Sequence, residues 1–293
     1  MVASPPSLHP VRRRLMRVGA LSLALTAGVF ANGSAVAGGG LFGSGDSEPT
    51  GRAVKPTVVL VHGAFADASG WNGVVERLQH DGYPVVAPPN PLRDVLGDSA
   101  YLASILKSID GPIVLAGHSY GGAVISQAAA GNRNVKALVY VSAFMPDVGE
   151  SPATLSTKFE GSELAPALRE VPYTDGKTSG TDLYIQNAKF HAVFAADLPR
   201  GQSREMAVEQ RPVAAAGFAQ NATAAAWKSI PSWAVVARND RAIAPDLERF
   251  EAKRAKSHTV EVDSSHVAMV SHPDLITDQI RAAARATYGI AKK

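Results

Sequence analysis

The sequence predicts an α/β protein: a mainly parallel central sheet with helices on both faces and a helical cap inserted between two of its strands. Three observations carry that expectation. Short apolar runs without polar alternation recur from residue 56 onward, as strands buried on both faces require. Segments with apolar residues at helical spacing lie between them. Runs and helical segments also alternate in order, which builds parallel β-α-β units rather than hairpins.

Thr57-Val58-Val59-Leu60-Val61 is the first run and ends at His62-Gly63. Trp71, Val74, Val75 and Leu78 then give one helix face. Tyr83 to Ala87 is a second strand, stopped by Pro88-Pro89-Asn90-Pro91. Tyr101, Leu102, Ile105, Leu106 and Ile109 form the next helix face, closed by Gly111-Pro112. Ile113 to Ala116 is the third strand, with a small-residue helix from Gly121 through Ala130. Ala137–Val141, Trp233–Ala237 and Thr259–Val262 complete the strands, and a last helix from Pro273 buries Leu275, Ile276, Ile280 and Ala283. Residues 147–226 break the rhythm. They are rich in Ala, Glu and Gln, lack strong strand runs, and look helical at Leu164–Arg169 and Ser203–Gln210, so a helical cap is expected there.

Composition narrows the function classes. Of 293 residues, 46% are hydrophobic and 19% charged, ordinary for a domain with a sizeable core, expected over residues 56–293. The net charge of +3 belongs to the N-terminus: with Arg12, Arg13, Arg14 and Arg17 set aside, 25 of the 29 bases face 26 acids. A basic nucleic-acid footprint is therefore absent. There is no cysteine, hence no disulfide, thiol nucleophile or cysteine metal site. Residues 1–37 read as a signal peptide: the arginines, an apolar stretch from Val18 to Phe30, then Ala35-Val36-Ala37. The stretch is shorter than the ~20 residues that span a bilayer, so no membrane anchor is expected after processing. Val11 to Arg17 resembles a twin-arginine signal, an ordinary secretory leader being the alternative. Residues 38–55 read as a flexible mature N-terminus, and the expected location is periplasmic or extracellular.

Gly117-His118-Ser119-Tyr120-Gly121 fits Gly-x-Ser-x-Gly. Such a turn thrusts a serine hydroxyl above a sheet, and its glycines let strand and helix backbones approach closely. A strand directly before and a helix directly after give the context that the chemistry needs. No Gly-x-Gly-x-x-Gly or Gly-Lys-Ser/Thr competes with it.

A serine hydroxyl needs a neighbouring base to take its proton. On such a sheet the order is serine, acid, histidine, each at a strand's C-terminal end. His266 follows the strand ending at Val262 and is the expected base; Asp240 follows the strand ending at Ala237 and is the expected orienting acid. Asp147, after the strand ending at Val141, is the alternative acid. Asp263 lies too near His266 in sequence and suits a turn, and His272 before Pro273 suits a helix start. The amides of Tyr120 and Ala64 are the expected oxyanion donors, with His62 bracing the Ala64 loop. Phe65 and Phe144 are candidate substrate contacts. The eight histidines include no His-x-x-x-His or His-x-His pair, so no metal or other cofactor is expected.

Val59-Leu60-Val61-His62-Gly63-Ala64 leading to Trp71, Gly117 to Gly122, and Ser142-Ala143-Phe144-Met145-Pro146-Asp147 resemble the methylesterase and hydroxynitrile lyase branch of the α/β-hydrolases, and its bacterial esterase relatives. Asn239-Asp240 with Ile243 and Pro245, and His266-Val267-Ala268-Met269 with Pro273, extend the resemblance over roughly residues 56–283. It implies the α/β-hydrolase fold, the same triad and oxyanion donors, and a cap roofing an apolar pocket. The lyases of that branch carry threonine after the first-motif histidine and lysine after the catalytic one; Gly63 and Val267 stand there instead. The expected activity is therefore serine esterase action on small to medium carboxylic esters, with a small-molecule ester as partner. Perhydrolysis, amide hydrolysis or lyase action on the same triad are alternatives, and a non-catalytic binder of this fold is another.

Overall fold

The structure, a computed structural model, describes residues 55–288. The leader expected at residues 1–37 and nearly all of the expected flexible segment 38–55 lie outside the described residues. In chain order the first elements are β1 (Thr57–Val61), α1 (Asn72–His80), β2 (Val85–Val86), α2 (Val95–Lys107), β3 (Ile113–His118), α3 (Tyr120–Ala128) and β4 (Val135–Val141). The cap then contributes α4 (Pro152–Ser156), β5 (Leu168–Thr174), β6 (Ser179–Ile185), α5 (Asn187–Phe194), α6 (Arg200–Glu209), β7 (Val213–Ala214) and α7 (Ala215–Ala219). The chain closes with β8 (Ser232–Ala237), α8 (Pro245–Arg254), β9 (His258–Val262), α9 (Ala268–Ser271) and α10 (Pro273–Tyr288).

The main sheet runs β2-β1-β3-β4-β8-β9 with every neighbouring pair parallel. All residues of β3 and β8 are buried, so helices cover both faces, which is why these strands read as unbroken apolar runs. α2 packs on α3, and α1 on α10. The expected strand Tyr83–Ala87 shrinks to Val85–Val86 at the edge of the sheet, where Pro84 offers only its carbonyl, to the Val58 N–H.

Two expectations are corrected. α2 does not bury Tyr101, which is 43% exposed; its inner face is Val95, Asp98, Ser99, Leu102 and Leu106. The polar pair is accommodated because Ser99 Oγ donates to the Val124 carbonyl and Asp98 accepts from Tyr120 Oη. The cap is not wholly helical either: β5, β6 and β7 form an antiparallel sheet, and Leu168 and Arg169, expected in a helix, begin β5. The strands β5 and β6 are mostly half-buried or exposed, so charged residues interrupt them and no apolar run marks them. The Asp175-Gly176 turn between them is a hairpin signal, with Gly176 at φ +85° and Asp175 accepting from the Lys177 and Thr178 amides.

The order of the main sheet places the site. From β1 the chain steps to β2 on one side and then crosses to β3 on the other, so the loops after β1 and β3 leave in opposite directions. The crevice at such a switch point is where open parallel sheets bind ligands. Val61 pairs with Gly117, which brings the His62 loop beside Ser119.

Candidate active site

Ser119 sits at the sharp turn from β3 into α3 with φ +56° and ψ −125°, a conformation that costs a non-glycine residue about 1–3 kcal/mol. Neighbouring backbone holds it there. Its amide donates to the Val141 carbonyl at 3.2 Å, and its carbonyl accepts from Gly122 at 2.9 Å and Phe144 at 3.2 Å. The turn closes so tightly that a Cβ at Gly117 would lie 2.6 Å from the Gly121 carbonyl oxygen.

His266 follows β9 and is buried, at 1% exposure. Its Nδ1–H donates to Asp240 Oδ2 at 2.6 Å. That bond fixes the tautomer and leaves Nε2 as the nitrogen with the lone pair. Asp240 is held in turn by the amides of Ala242 and Ile243, which donate to Oδ1 at 2.7 and 2.9 Å. The rival acid Asp147 is elsewhere, paired with Lys228 at 2.5 Å. Asp263 is an exposed partner of Arg238, and the His272 carbonyl accepts from Ile276 in the first turn of α10.

His118 precedes Ser119 in the chain and packs on His266. Its Nε2–H donates to the His266 carbonyl at 3.0 Å, and the two rings lie 4.7 Å apart. Burial, and then the neighbouring His266, push the His118 pKa well below its ordinary value, so it is neutral. His62 braces the other loop. Its Nδ1–H donates to the Gly63 carbonyl and its Nε2 accepts from the Asn90 amide, both at 2.9 Å. Ala64 follows, then Phe65 at φ +60°, whose amide donates to the cap carbonyl of Arg211 at 2.9 Å. The amides of Ala64 and Tyr120 donate to no other group among the described residues. The Tyr120 side chain is anchored on Asp98 at 2.9 Å, which fixes the first turn of α3.

Phe65 and Phe144 are placed differently. Phe65 borders a cavity of about 90 Å³ that Met206, Gln210, Met269 and Val270 also line. Phe144 is packed in a separate apolar cluster with Leu155, Ile243 and Leu247, edge-on to Phe218. Two further residues lie beside the site: Phe194, which the sequence offers only as one of several phenylalanines that could line a pocket, and Asp197, which no pattern marks. Phe194 of α5 rests on the His266 ring at 4.9 Å. Asp197, in the loop after α5, accepts from Ser265 Oγ and, at 2.9 Å, from Ser264 Oγ, the two residues before His266. Burial alone raises the Asp197 pKa, but bonds from Ser265, Ser271 and Ser264 together hold it below the usual carboxylate value.

A parallel sheet carrying a strained serine turn at its switch point, with a buried His–Asp pair at neighbouring strand ends, defines a hydrolase. Residues 58–279 match the alpha/beta hydrolase family, and the chain belongs to it. It is 26% identical to Methylesterase 2 of Arabidopsis thaliana, over 78% of this chain and 96% of that protein. The structure of polyneuridine aldehyde esterase superposes with a TM-score of 0.67 at 19% identity, covering 78% of this chain and 98% of that one. A pyrethroid hydrolase from Sphingobium faniae superposes at 0.65 and 22% identity, covering 79% and 98%. At those identities the two structures speak for the fold. The activity of the chain is that of an esterase-type hydrolase.

Proposed function

We propose that this chain is an exported serine esterase that cleaves small to medium carboxylic esters through Ser119, His266 and Asp240. The observation that carries the reading is the buried 2.6 Å bond from His266 Nδ1 to Asp240 Oδ2, one packed ring away from the strained Ser119 turn. His266 Nε2 takes the Ser119 proton as Oγ attacks the ester carbonyl, and Asp240 stabilises the imidazolium. The amides of Ala64 and Tyr120 receive the negative oxygen of the tetrahedral intermediate. Collapse expels the alcohol, which takes its proton from His266. Water, deprotonated by the same nitrogen, then releases the acid and restores Ser119.

The names of the relatives, a methylesterase and a pyrethroid hydrolase, support ester chemistry. Gly63 supports esterase over lyase action for a steric reason: a Cβ there would lie 2.6 Å from Ser119 Cβ and 2.8 Å from the His118 carbonyl oxygen. The threonine of the lyases does not fit this loop as it stands. Hydrolysis of p-nitrophenyl acetate and butyrate by the purified protein, abolished in Ser119→Ala, tests the activity; equal rates in the two proteins refute it. Export rests on the leader of residues 1–37, and N-terminal sequencing of the extracytoplasmic protein should begin at Gly38.

A further inference from the structure

A second carboxyl stands behind the His–Asp pair, and its surroundings suit an acid rather than an ion. Glu248, on α8, is buried at 3% exposure. Its Oε2 accepts from the Ala237 amide at 3.1 Å, at the end of β8. Its Oε1 is buried and receives no N–H or O–H among the described residues. Ala237 joins Glu248 to Asp240, whose amide donates to the Ala237 carbonyl at 3.2 Å, and the charge of Asp240 acts on the Glu248 carboxyl, as does that of Glu251 from one turn along α8. Both neighbours are acids. Beyond Asp240 the titratable groups are His266 and His118. Leu247, the residue before Glu248, packs into an apolar cluster with Phe144, Leu155, Ile243 and Ala244.

Two carboxylates that act on each other away from water do not both ionise. Asp240 keeps the charge, since the amides of Ala242 and Ile243 and the Nδ1–H of His266 all donate to it. Glu248 has one amide donor and an oxygen left over. Given the serine esterase reading above, we propose that Glu248 is a positioning residue: its neutral carboxylic acid donates a hydrogen bond from Oε1 to the Asp240 carboxylate and so sets how strongly Asp240 supports protonated His266. The orphaned oxygen thereby gains its partner. Burial and the charge of Asp240 raise the Glu248 pKa well above the ordinary carboxyl value, in keeping with a bound proton.

The sign of the effect separates this arrangement from an ionised Glu248. Loss of an O–H donor leaves Asp240 a stronger acceptor, which favours the imidazolium. Loss of a carboxylate removes negative charge and disfavours it. In Glu248→Met the acidic limb of kcat/KM should therefore move up by about half a pH unit or more. Glu248→Gln, whose amide donates to Asp240 while its oxygen accepts from Ala237, should return the limb to its wild-type position. A downward shift in both variants, or no shift in the folded Met variant, overturns the proposal.

Infrared spectroscopy asks the same question without turnover. Wild-type protein at neutral pH should show a carboxylic-acid C=O stretch that Glu248→Gln lacks and that Asp240→Asn moves to higher frequency by weakening the acceptor. Identical spectra in the carboxylic-acid region for wild type and Glu248→Gln overturn the proposal. If neither ester nor any other substrate is turned over, the esterase reading fails while this measurement still decides where the proton sits.

Discussion

Adding one methyl group at Gly63 should disable the enzyme while leaving it folded. Gly63 lies on the loop after β1, facing the serine turn after β3 where the two meet at the switch point. A Cβ there would stand 2.6 Å from Ser119 Cβ and 2.8 Å from the His118 carbonyl oxygen, and 3.1 Å from His118 Nδ1. Ordinary contacts begin at 3.4 Å, so one loop must recede by roughly 1 Å, and the atoms in the way belong to the serine turn itself. That turn is fixed by backbone bonds to Val141, Gly122 and Phe144, so the His62–Phe65 loop is the part that moves. Ala64 moves with it. A displaced oxyanion donor costs about 10²-fold in kcat, near 3 kcal/mol of barrier, and overpacking costs about 1–3 kcal/mol of stability. kcat on p-nitrophenyl butyrate, measured below the melting range alongside Tm, gives both numbers. Gly201→Ala on α6, where a Cβ would meet nothing within 4 Å, is the control and should match wild type. If folded Gly63→Ala keeps kcat within about twofold of wild type, the loop tolerates the methyl group and the assignment of Ala64 as a donor fails.

Three further outcomes follow from the same geometry. Asp240→Asn should lower kcat by about 10³–10⁴-fold because the wrong His266 tautomer is favoured, whereas Asp147→Asn should change it less than about twofold; kinetics on the two purified variants decides which acid serves His266. Asp197→Ala removes the acceptor for Ser264 and Ser265, and should reduce both Tm and kcat, the latter about tenfold, with KM nearly constant; a KM effect alone would assign Asp197 to substrate binding instead. Glu251, which accepts from the Met145 amide, is raised by burial from 4.5 to about 8. The folded state then binds a proton that the unfolded chain has released, so stability falls as pH rises from 4.5 to about 8 and levels above it. Glu251→Gln keeps the bond to Met145 and should flatten that fall in Tm; an unchanged slope would place the titrating group elsewhere.

The main sheet was legible because its central strands are buried on both faces, and the short apolar runs ending at Val61, Ala116 and Ala237 have no other use in a chain of this composition. The serine turn was legible for a related reason: its glycines are demanded by backbone contact. The cap was not. β5 and β6 pair with each other and β7 and leave much of their length to solvent, so their residues obey neither the run nor the helical spacing. Along the chain Asp240 is preferred to Asp147 by position alone, because both follow strands of the same sheet. In space β8 lies beside β9 and its loop brings Asp240 to His266, while Lys228 pairs with Asp147. Glu248 left a faint trace, an acid at a helix position beside Leu247 that packs inward.

Asp197 and Phe194 show why the cap matters beyond roofing a pocket. Both come from residues that no strand-end rule points to, yet both bear on His266: Phe194 by packing on its ring, Asp197 by holding the two serines that precede it. Phe65, beside the expected oxyanion donor, is tied to the cap at Arg211. Ser119 and Asp240 are thus set by the sheet, whereas His266 and the Ala64 loop are each held partly by the cap. Substitutions that reshape the cap to accept a different ester therefore act on positions coupled to His266 and Ala64 as well. The rate of the chemical step should be most tolerant where cap residues touch neither loop, as on the outer face of β5, and least tolerant along Phe194, Asp197 and Arg211.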